Sequence, residues 1–432
     1  MLSPHARARF LAGSWQEIVG RLARNLPLSL PTVHLLQHRA LLPAGNTLAA
    51  FGTLPDGSLL PLRPNCAILE LTEDNLSAMR DEACALWRTS TGVGFNVSQL
   101  ENPVQVLREL QELCARTEPQ YRRPKRGNMA VLSARHPRVA EFIDCKGTEQ
   151  QARRLELFNI SVSFDSAKHL ADRGDLLTLI ARRAWATGCP GVVLEDRLNE
   201  TQTRGQRYRT VVPCGEQAMF HGETCTLASV NLHADWFWQS GQLQTDRLRE
   251  AVAEGVHMLE TTRLHTTYAT PLTAAASREY RRVGLGVTGF ADALRRLGLV
   301  YGSPESVQFA GSVAAELGAV GRRTSQQYGH ISTTCLPPTG GVTLLTPNAG
   351  FAIEPAFDEA ANVAPIRQMQ VVQAFQQHLC NSVSKTLNLP ALASTTQVAD
   401  AFLLLEKLPH VKSLTVYRDR SRLQQPRRIG LP

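Results

Sequence analysis

Short apolar runs rich in β-formers recur along the chain at 128–133, 156–164 and 190–195, separated by stretches with helical spacing. Strands alternating with helices throughout imply one α/β domain. Residues 73–90 show helical spacing, and Gly92–Ser98 reads as a turn into a strand. Residues 102–116 form an amphipathic helix with Val104, Leu107, Leu110 and Leu113 on one face. Residues 247–262, 303–325 and 365–389 read as long helices, and 15–40 as a helix followed by a Pro-bounded loop. There are no internal repeats, no low-complexity stretch and no obvious linker.

At 432 residues the chain exceeds one average domain, yet a single large α/β barrel could use all of it. Hydrophobic residues at 43% and aromatics at 6% suit a buried core and exclude a disordered chain. No run reaches the ~18 apolar residues that a membrane span needs. The start, Met1-Leu-Ser-Pro-His-Ala-Arg, lacks the apolar core of a secretory signal. A cytoplasmic protein without a membrane partner is expected. The net charge of +8 invites a nucleic-acid reading. Against it, the arginines are scattered among acids, the one basic cluster is the tail Arg418–Arg428, and no zinc-knuckle, RNP or helix-turn-helix pattern stands out. An anionic small substrate explains the excess equally well, so no nucleic-acid partner is expected.

Nine cysteines form no CxxC pair, and an odd count spread through a long chain argues against a disulfide framework. Any that matter do so by redox chemistry, and most are expected to be small buried hydrophobes. The sharpest local feature is Val212-Pro-Cys-Gly-Glu-Gln217, a thiol and a carboxylate two residues apart around Gly215. In an extended loop Cys214 and Glu216 would project to one side and reach adjacent atoms of a small substrate. Standing alone, the segment would read as a Pro/Gly turn with a chance cysteine.

It stands in a series. Asn65-Cys66-Ala-Ile-Leu, Thr91-Gly-Val-Gly-Phe-Asn-Val-Ser98, Arg126-Gly-Asn-Met-Ala-Val-Leu132, His136-Pro-Arg-Val-Ala-Glu-Phe-Ile143 and Phe158-Asn-Ile-Ser-Val162 precede it. Cys225-Thr-Leu-Ala-Ser-Val-Asn-Leu232, Arg281-Arg-Val-Gly-Leu-Gly-Val-Thr-Gly-Phe-Ala-Asp292, Pro338-Thr-Gly-Gly-Val-Thr343, Ile353-Glu-Pro355, Asn381-Ser-Val-Ser-Lys-Thr-Leu-Asn-Leu-Pro390 and Leu414-Thr-Val-Tyr-Arg-Asp419 follow. Any one block is weak, but in this collinear order the chain resembles the catalytic subunit of ribonucleotide reductase from about residue 40 to residue 422. The ending Leu-Thr-Val-Tyr-Arg-Asp, without an adjacent tyrosine pair, is similar to the adenosylcobalamin-dependent class.

The resemblance implies a ten-stranded α/β barrel over 41–432, behind an N-terminal helical segment at 1–40, with a central finger loop carrying Cys214 at its tip. It implies adenosylcobalamin as the radical source and no protein-bound metal. Cys214 would become a thiyl radical that takes the ribose 3′ hydrogen, and Glu216 would accept the 3′ hydroxyl proton. Cys66 and Cys225 would supply the electrons and close to a disulfide, which needs Cα atoms within roughly 7 Å. Either could instead be a packing residue in a strand. Thr47, Asn65, Gly92, Val212, Pro213 and Gly215 match family positions near the substrate. Pro338, Thr339, Gly340, Gly341 and Val342 suit a phosphate site, since glycine-rich amides opening a helix favour anions. Arg281 and Arg282 are expected at a strand edge in ion pairs, outside the site. The implied partners are a ribonucleotide and an external thiol reductant such as a thioredoxin-like protein, with a homodimer compatible.

Five departures from the family bear on function. Val212 stands where the finger loop has asparagine. The segment between Leu100 and Arg126 is short, although the candidate specificity segment Lys146–Arg154 remains. No ATP-cone precedes residue 40, no cysteine pair follows residue 422, and Gly341 replaces a usual threonine. Three readings stay open: a minimal reductase served by external thiols, a paralogue acting on another nucleotide, and a non-catalytic nucleotide- or cobalamin-binding subunit.

Overall fold

The computed structural model describes residues 3–121, 127–202, 205–346, 351–355 and 362–421. Most of the basic tail, from residue 422, and Arg126 lie outside them. The chain divides into two compact units. One comprises Met1–Asn65, Glu223–Pro355 and His378–Cys380; the other comprises Cys66–Gly222, Ala356–Gln377 and Asn381–Pro432.

In the first unit, strand β1 (Leu41–Pro43) pairs antiparallel with β8 (Leu227–Asn231), and β11 (Gly284–Thr288) pairs parallel with β8. The short strand β7 (Thr224–Cys225) precedes β8, and β9 (Trp238–Gln239) and β10 (Gln242–Leu243) make a small hairpin. The residues of β8 and β11 are all buried, and the long helices Thr245–Leu264 and Pro304–Ser325 pack against each other. Arg282 and Glu223, each 1% exposed, form a two-pronged ion pair at 2.8 and 2.9 Å. That bears out an ion-paired Arg282. Arg281 is in the left-handed region at φ 49° and donates to the Tyr328 carbonyl.

In the second unit five strands run parallel in the order β2 to β6: Cys66–Thr72, Gly92–Gln99, Asn128–Ser133, Phe158–Phe164 and Gly191–Leu194. Each connection contains a helix, as parallel pairing requires; the first two are Leu76–Arg88 and Pro103–Arg116. Strand β13 (Ser413–Arg418) continues the sheet antiparallel to β6, and β12 (Thr386–Leu389) lies parallel to β13. Asn128 ties the layers together. Its Oδ1 accepts from Trp87 Nε1 at 2.9 Å and from the Val93 amide at 3.2 Å.

Two local expectations need correction. The segment 365–389 is not one helix: the helix is Pro365–Gln376, and β12 follows. Gln376 turns the chain, donating to the Asn381 carbonyl at 2.6 Å and accepting from the Val383 amide at 3.0 Å. Within the expected Pro-bounded loop, residues Leu30–Gln37 are a helix, capped by Ser29 with Pro31 in its first turn, where a missing N–H costs nothing. Among the described residues no helix is long and apolar enough to cross a membrane.

Candidate active site

The Val212–Gln217 loop in the second unit is a tight hairpin. Val211 and Ala218 bridge antiparallel at its base, and the Val212 amide donates to the Gln217 carbonyl at 2.9 Å. The Gly215 amide donates to the Val212 carbonyl at 2.8 Å, which closes a turn with Gly215 at φ +77°. That conformation favours glycine. The segment is therefore not extended, and the i, i+2 alternation of an extended chain does not apply to it. All nine cysteines lie among the described residues as thiols, and Cys214 alone is exposed. Glu216 is 2% exposed and Val212 fully buried, and Pro213 is buried as well.

Three features hold the hairpin. Asn381 accepts from the Ala218 amide at 2.8 Å and donates to the Ala218 carbonyl at 3.1 Å. The Ser382 amide donates to the Glu216 carbonyl at 3.1 Å. Gly94 in β3 lies so close to Val211 that a Cβ would overlap the Val211 carbonyl oxygen, and at the tip a Cβ on Gly215 would sit 3.6 Å from Ser413 Oγ of β13. Sequence reasoning missed Gly94, Asn381, Ser382 and Ser413 as parts of the site. The Asn381-Ser382 pair was visible as a block, but only the fold brings it to the loop.

Cys66 opens β2 and is the register partner of Gly92 at the start of β3, so the structure brings these two expected residues together. Both are buried. In the first unit, Thr47 (2% exposed) lies in the short helix Gly45–Ala49. Asn46 donates to the Pro64 carbonyl at 2.6 Å, and the Asn65 amide donates to the Cys225 carbonyl at 3.0 Å. Asn65 and Cys225 are thus joined through their backbones, and Asn46, the neighbour of Thr47, reaches the chain at Pro64. Asn65 is 4% exposed, and among the described residues its Nδ2 has no hydrogen-bond partner. Burying such an amide is costly unless something satisfies it.

The Pro338–Thr343 segment is anchored through Thr339. Its hydroxyl lies 2.9 Å from that of Thr288, the last residue of β11, and accepts from the Ala352 amide at 2.7 Å. The Thr339 carbonyl accepts from the Val342 and Thr343 amides at 2.8 and 3.0 Å, starting the 3₁₀ turn Val342–Leu344. The expected helix is therefore one short turn, and its leading amides are spent on Thr339. Among the described residues the Gly340 and Gly341 amides donate to no protein acceptor.

The candidate specificity segment, Lys146–Arg154, is held by local bonds. Thr148 and Gln151 form a capping box for the helix Glu149–Arg154, and buried Lys146 donates to the Leu155 carbonyl at 2.9 Å and to that of Phe158.

The second unit is thus an α/β sheet with five parallel strands, and it carries a braced hairpin with an accessible thiol at its turn. Residues 165–335 match the family model "Ribonucleotide reductase, barrel domain". The chain is 26% identical to the vitamin B12-dependent ribonucleoside-diphosphate reductase of Mycobacterium tuberculosis strain CDC 1551, over 90% of this chain and 71% of that protein. It is 26% identical to the reductase of the same name from Thermoplasma acidophilum, over 69% of this chain and 52% of that protein. In three dimensions it is similar to the class Id ribonucleotide reductase alpha subunit of Actinobacillus ureae, with a TM-score of 0.76, 13% identity, and coverage of 96% of this chain and 97% of the other. The last likeness is one of fold. The chain is thus similar in sequence to B12-dependent ribonucleotide reductases, and it shares the α/β fold of a ribonucleotide reductase alpha subunit.

Proposed function

We propose that this protein reduces ribonucleotides to 2′-deoxyribonucleotides by thiyl-radical chemistry, with Cys214 as the radical thiol. The observation that carries the reading is the exposed Cys214 at the turn of a hairpin that Gly94, Asn381 and Ser382 hold in place. Those contacts brace the loop, and catalysis needs such positioning.

Adenosylcobalamin, when bound, supplies a carbon-centred radical by homolysis of its cobalt–carbon bond. Such a radical would need an accessible hydrogen-atom donor on the protein. The one exposed sulfur among nine fits that need. Cys214, having lost its hydrogen atom, takes the 3′ hydrogen of the ribose. Glu216 accepts the 3′ hydroxyl proton, and the 2′ hydroxyl leaves as water. Cys66 and Cys225 give up two electrons and two protons and join as a disulfide, after which Cys214 returns the hydrogen to C3′. Asn65 Nδ2 and Thr47 are suited to the sugar, and the Gly340 and Gly341 amides to the phosphate. An external dithiol protein of the thioredoxin type would reopen the disulfide. Nine cysteines held as thiols suit a reducing cytoplasm.

The test is incubation with adenosylcobalamin, a dithiol and each ribonucleotide, followed by product identification. A deoxynucleotide is expected. A different product would replace this reading with another nucleotide chemistry. No turnover, together with tight binding to a larger reductase, would make the chain a non-catalytic subunit.

A further inference from the structure

Three elements of the second unit border a cleft of about 430 Å³. The start of the helix Pro365–Gln376 contributes Ile366, and β12 contributes Asn388 and Leu389. The helix Thr395–Lys407 contributes Asp400, Ala401 and Leu404 from one face. The lining is mostly apolar, as in small-molecule sites of this size, and it holds no Lys, Arg or His. Its one charged side chain, Asp400, is exposed. Asn388 is the anomaly. It is 5% exposed, and its carbonyl accepts from Gln368 Nε2 at 3.2 Å, but its side-chain amide makes no hydrogen bond to a described residue. Burying such an amide costs stability, and asparagine is also disfavoured in strands. An apolar side chain would serve the sheet better, unless a ligand meets the amide. The cleft lies away from the hairpin: Asn388 is the register partner of Tyr417 near the end of β13, whereas the hairpin tip approaches Ser413 at that strand's start.

We infer that this cleft binds an uncharged, mainly apolar small molecule that carries an amide edge, an N–H donor beside a carbonyl acceptor, and that Asn388 recognises that edge. A carboxamide offers one acceptor and two donors on a flat group, so it can pair with a lactam or another carboxamide through two parallel hydrogen bonds. The apolar lining takes the body of the molecule, and its burial supplies most of the binding energy. Anions are disfavoured, because no cation lines the cleft and Asp400 stands at its border. Gln397 also lines the cleft, but its side-chain oxygen is committed to the Ser394 amide at 2.8 Å as part of the helix cap. Asn388 is therefore the residue free to confer specificity.

The test titrates the full chain with three bicyclic probes of similar shape, followed by ligand-observed magnetic resonance. Quinolin-2-one carries the lactam edge, its N-methyl derivative lacks the donor, and 2-naphthoate is an anion. Wild type is expected to bind the lactam best and the naphthoate worst. Asn388→Leu should weaken lactam binding by about tenfold, the range for losing two neutral hydrogen bonds. The preference for the lactam over its N-methyl derivative should vanish with it. The same variant should melt at or above the wild-type temperature, since it removes an unsatisfied buried amide. Leu404→Trp fills the cleft and should abolish binding of all three probes. An Asn388→Leu chain that melts lower or fails to fold gives Asn388 a structural role and overturns the inference. So does a wild type that fails to prefer the lactam, lactam affinity unchanged in Asn388→Leu, or binding that survives Leu404→Trp.

Discussion

Gly94 and Val211 meet with no room for a side chain between them: a Cβ on Gly94 would overlap the Val211 carbonyl oxygen and lie 2.6 Å from Ile68 Cδ1. The first of these atoms is backbone, so it cannot swing away as a flexible side chain would. Gly94→Ala should therefore shift the base of the Cys214 hairpin. Overpacking of this kind typically costs about 1–3 kcal/mol, and a small misplacement of reacting groups can cost about a hundredfold in rate. The expected result is a large fall in kcat with a modest fall in melting temperature. Wild-type turnover by Gly94→Ala would show that the contact does not position the loop.

Exposure singles out Cys214 among nine thiols, whereas Cys66 and Cys225 are 8% and 0% exposed. Brief alkylation of the native protein should label Cys214 first, as read by peptide mass spectrometry, and Cys214→Ser should remove the fast phase. The same variant should abolish all turnover. Fast labelling of Cys66 or Cys225 ahead of Cys214 would contradict the arrangement.

If Cys66 and Cys225 are the reductant pair, Cys66→Ser and Cys225→Ser should each stop multiple turnover while still permitting substrate-dependent cofactor cleavage. Mild oxidation of the wild type should link the two, seen as a cross-linked peptide. Equal and mild losses at positions 66, 214 and 225 would sink the division of labour.

The parallel strands were legible because buried strands read as apolar runs with helical spacing between them; Asn128–Ser133 and Phe158–Phe164 fall where the pattern put them. The turn after Gln376 was not legible. Its cause is a pair of hydrogen bonds between the Gln376 amide and the backbone of Asn381 and Val383, which no periodicity announces. Cys214, Glu216, Cys66 and Cys225 stood out through residue type and collinear blocks. Gly94, Asn381 and Ser413 escaped because their role is to touch a loop more than 100 residues away in sequence, and contacts of that kind exist only after folding.

Acid should loosen the first unit through Glu260. Burial opposes its charge, but hydrogen bonds from Arg263 at 2.7 and 2.8 Å and from His330 at 3.0 Å outweigh that, holding its carboxyl down to about 2 from an ordinary 4.5. A carboxyl depressed in the folded state adds stability that is present above its unfolded value and is lost as pH falls toward the folded one. Unfolding free energy should therefore drop between pH 4.5 and about 2, by up to about 1.4 kcal/mol per pH unit from this group. Glu260→Gln should lower stability at neutral pH, because it leaves Arg263 buried without its counter-charge, and should flatten the acid slope. Denaturant melts at pH 7, 4.5 and 3 check both effects; parallel pH curves for variant and wild type would refute the assignment.

Val212 is the departure closest to the chemistry, and its surroundings decide what restoring asparagine would do. Its side chain is fully buried. Its amide and carbonyl are both used inside the hairpin, toward Gln217 at 2.9 Å and from Gly215 at 2.8 Å. Val212→Asn leaves those backbone bonds intact and changes only what is packed in the pocket. A buried amide without partners costs about 1–3 kcal/mol, whereas a preorganised donor that reached the ribose would raise the rate by about a hundredfold. Because the Val212 side chain is fully buried, the first effect should win. The variant is expected to melt lower than wild type, with kcat/KM on ribonucleotides no higher. A variant of unchanged melting temperature and clearly raised kcat/KM would mean that the loop opens around position 212 when substrate binds, and that this chain is a reductase that has merely lost one contact.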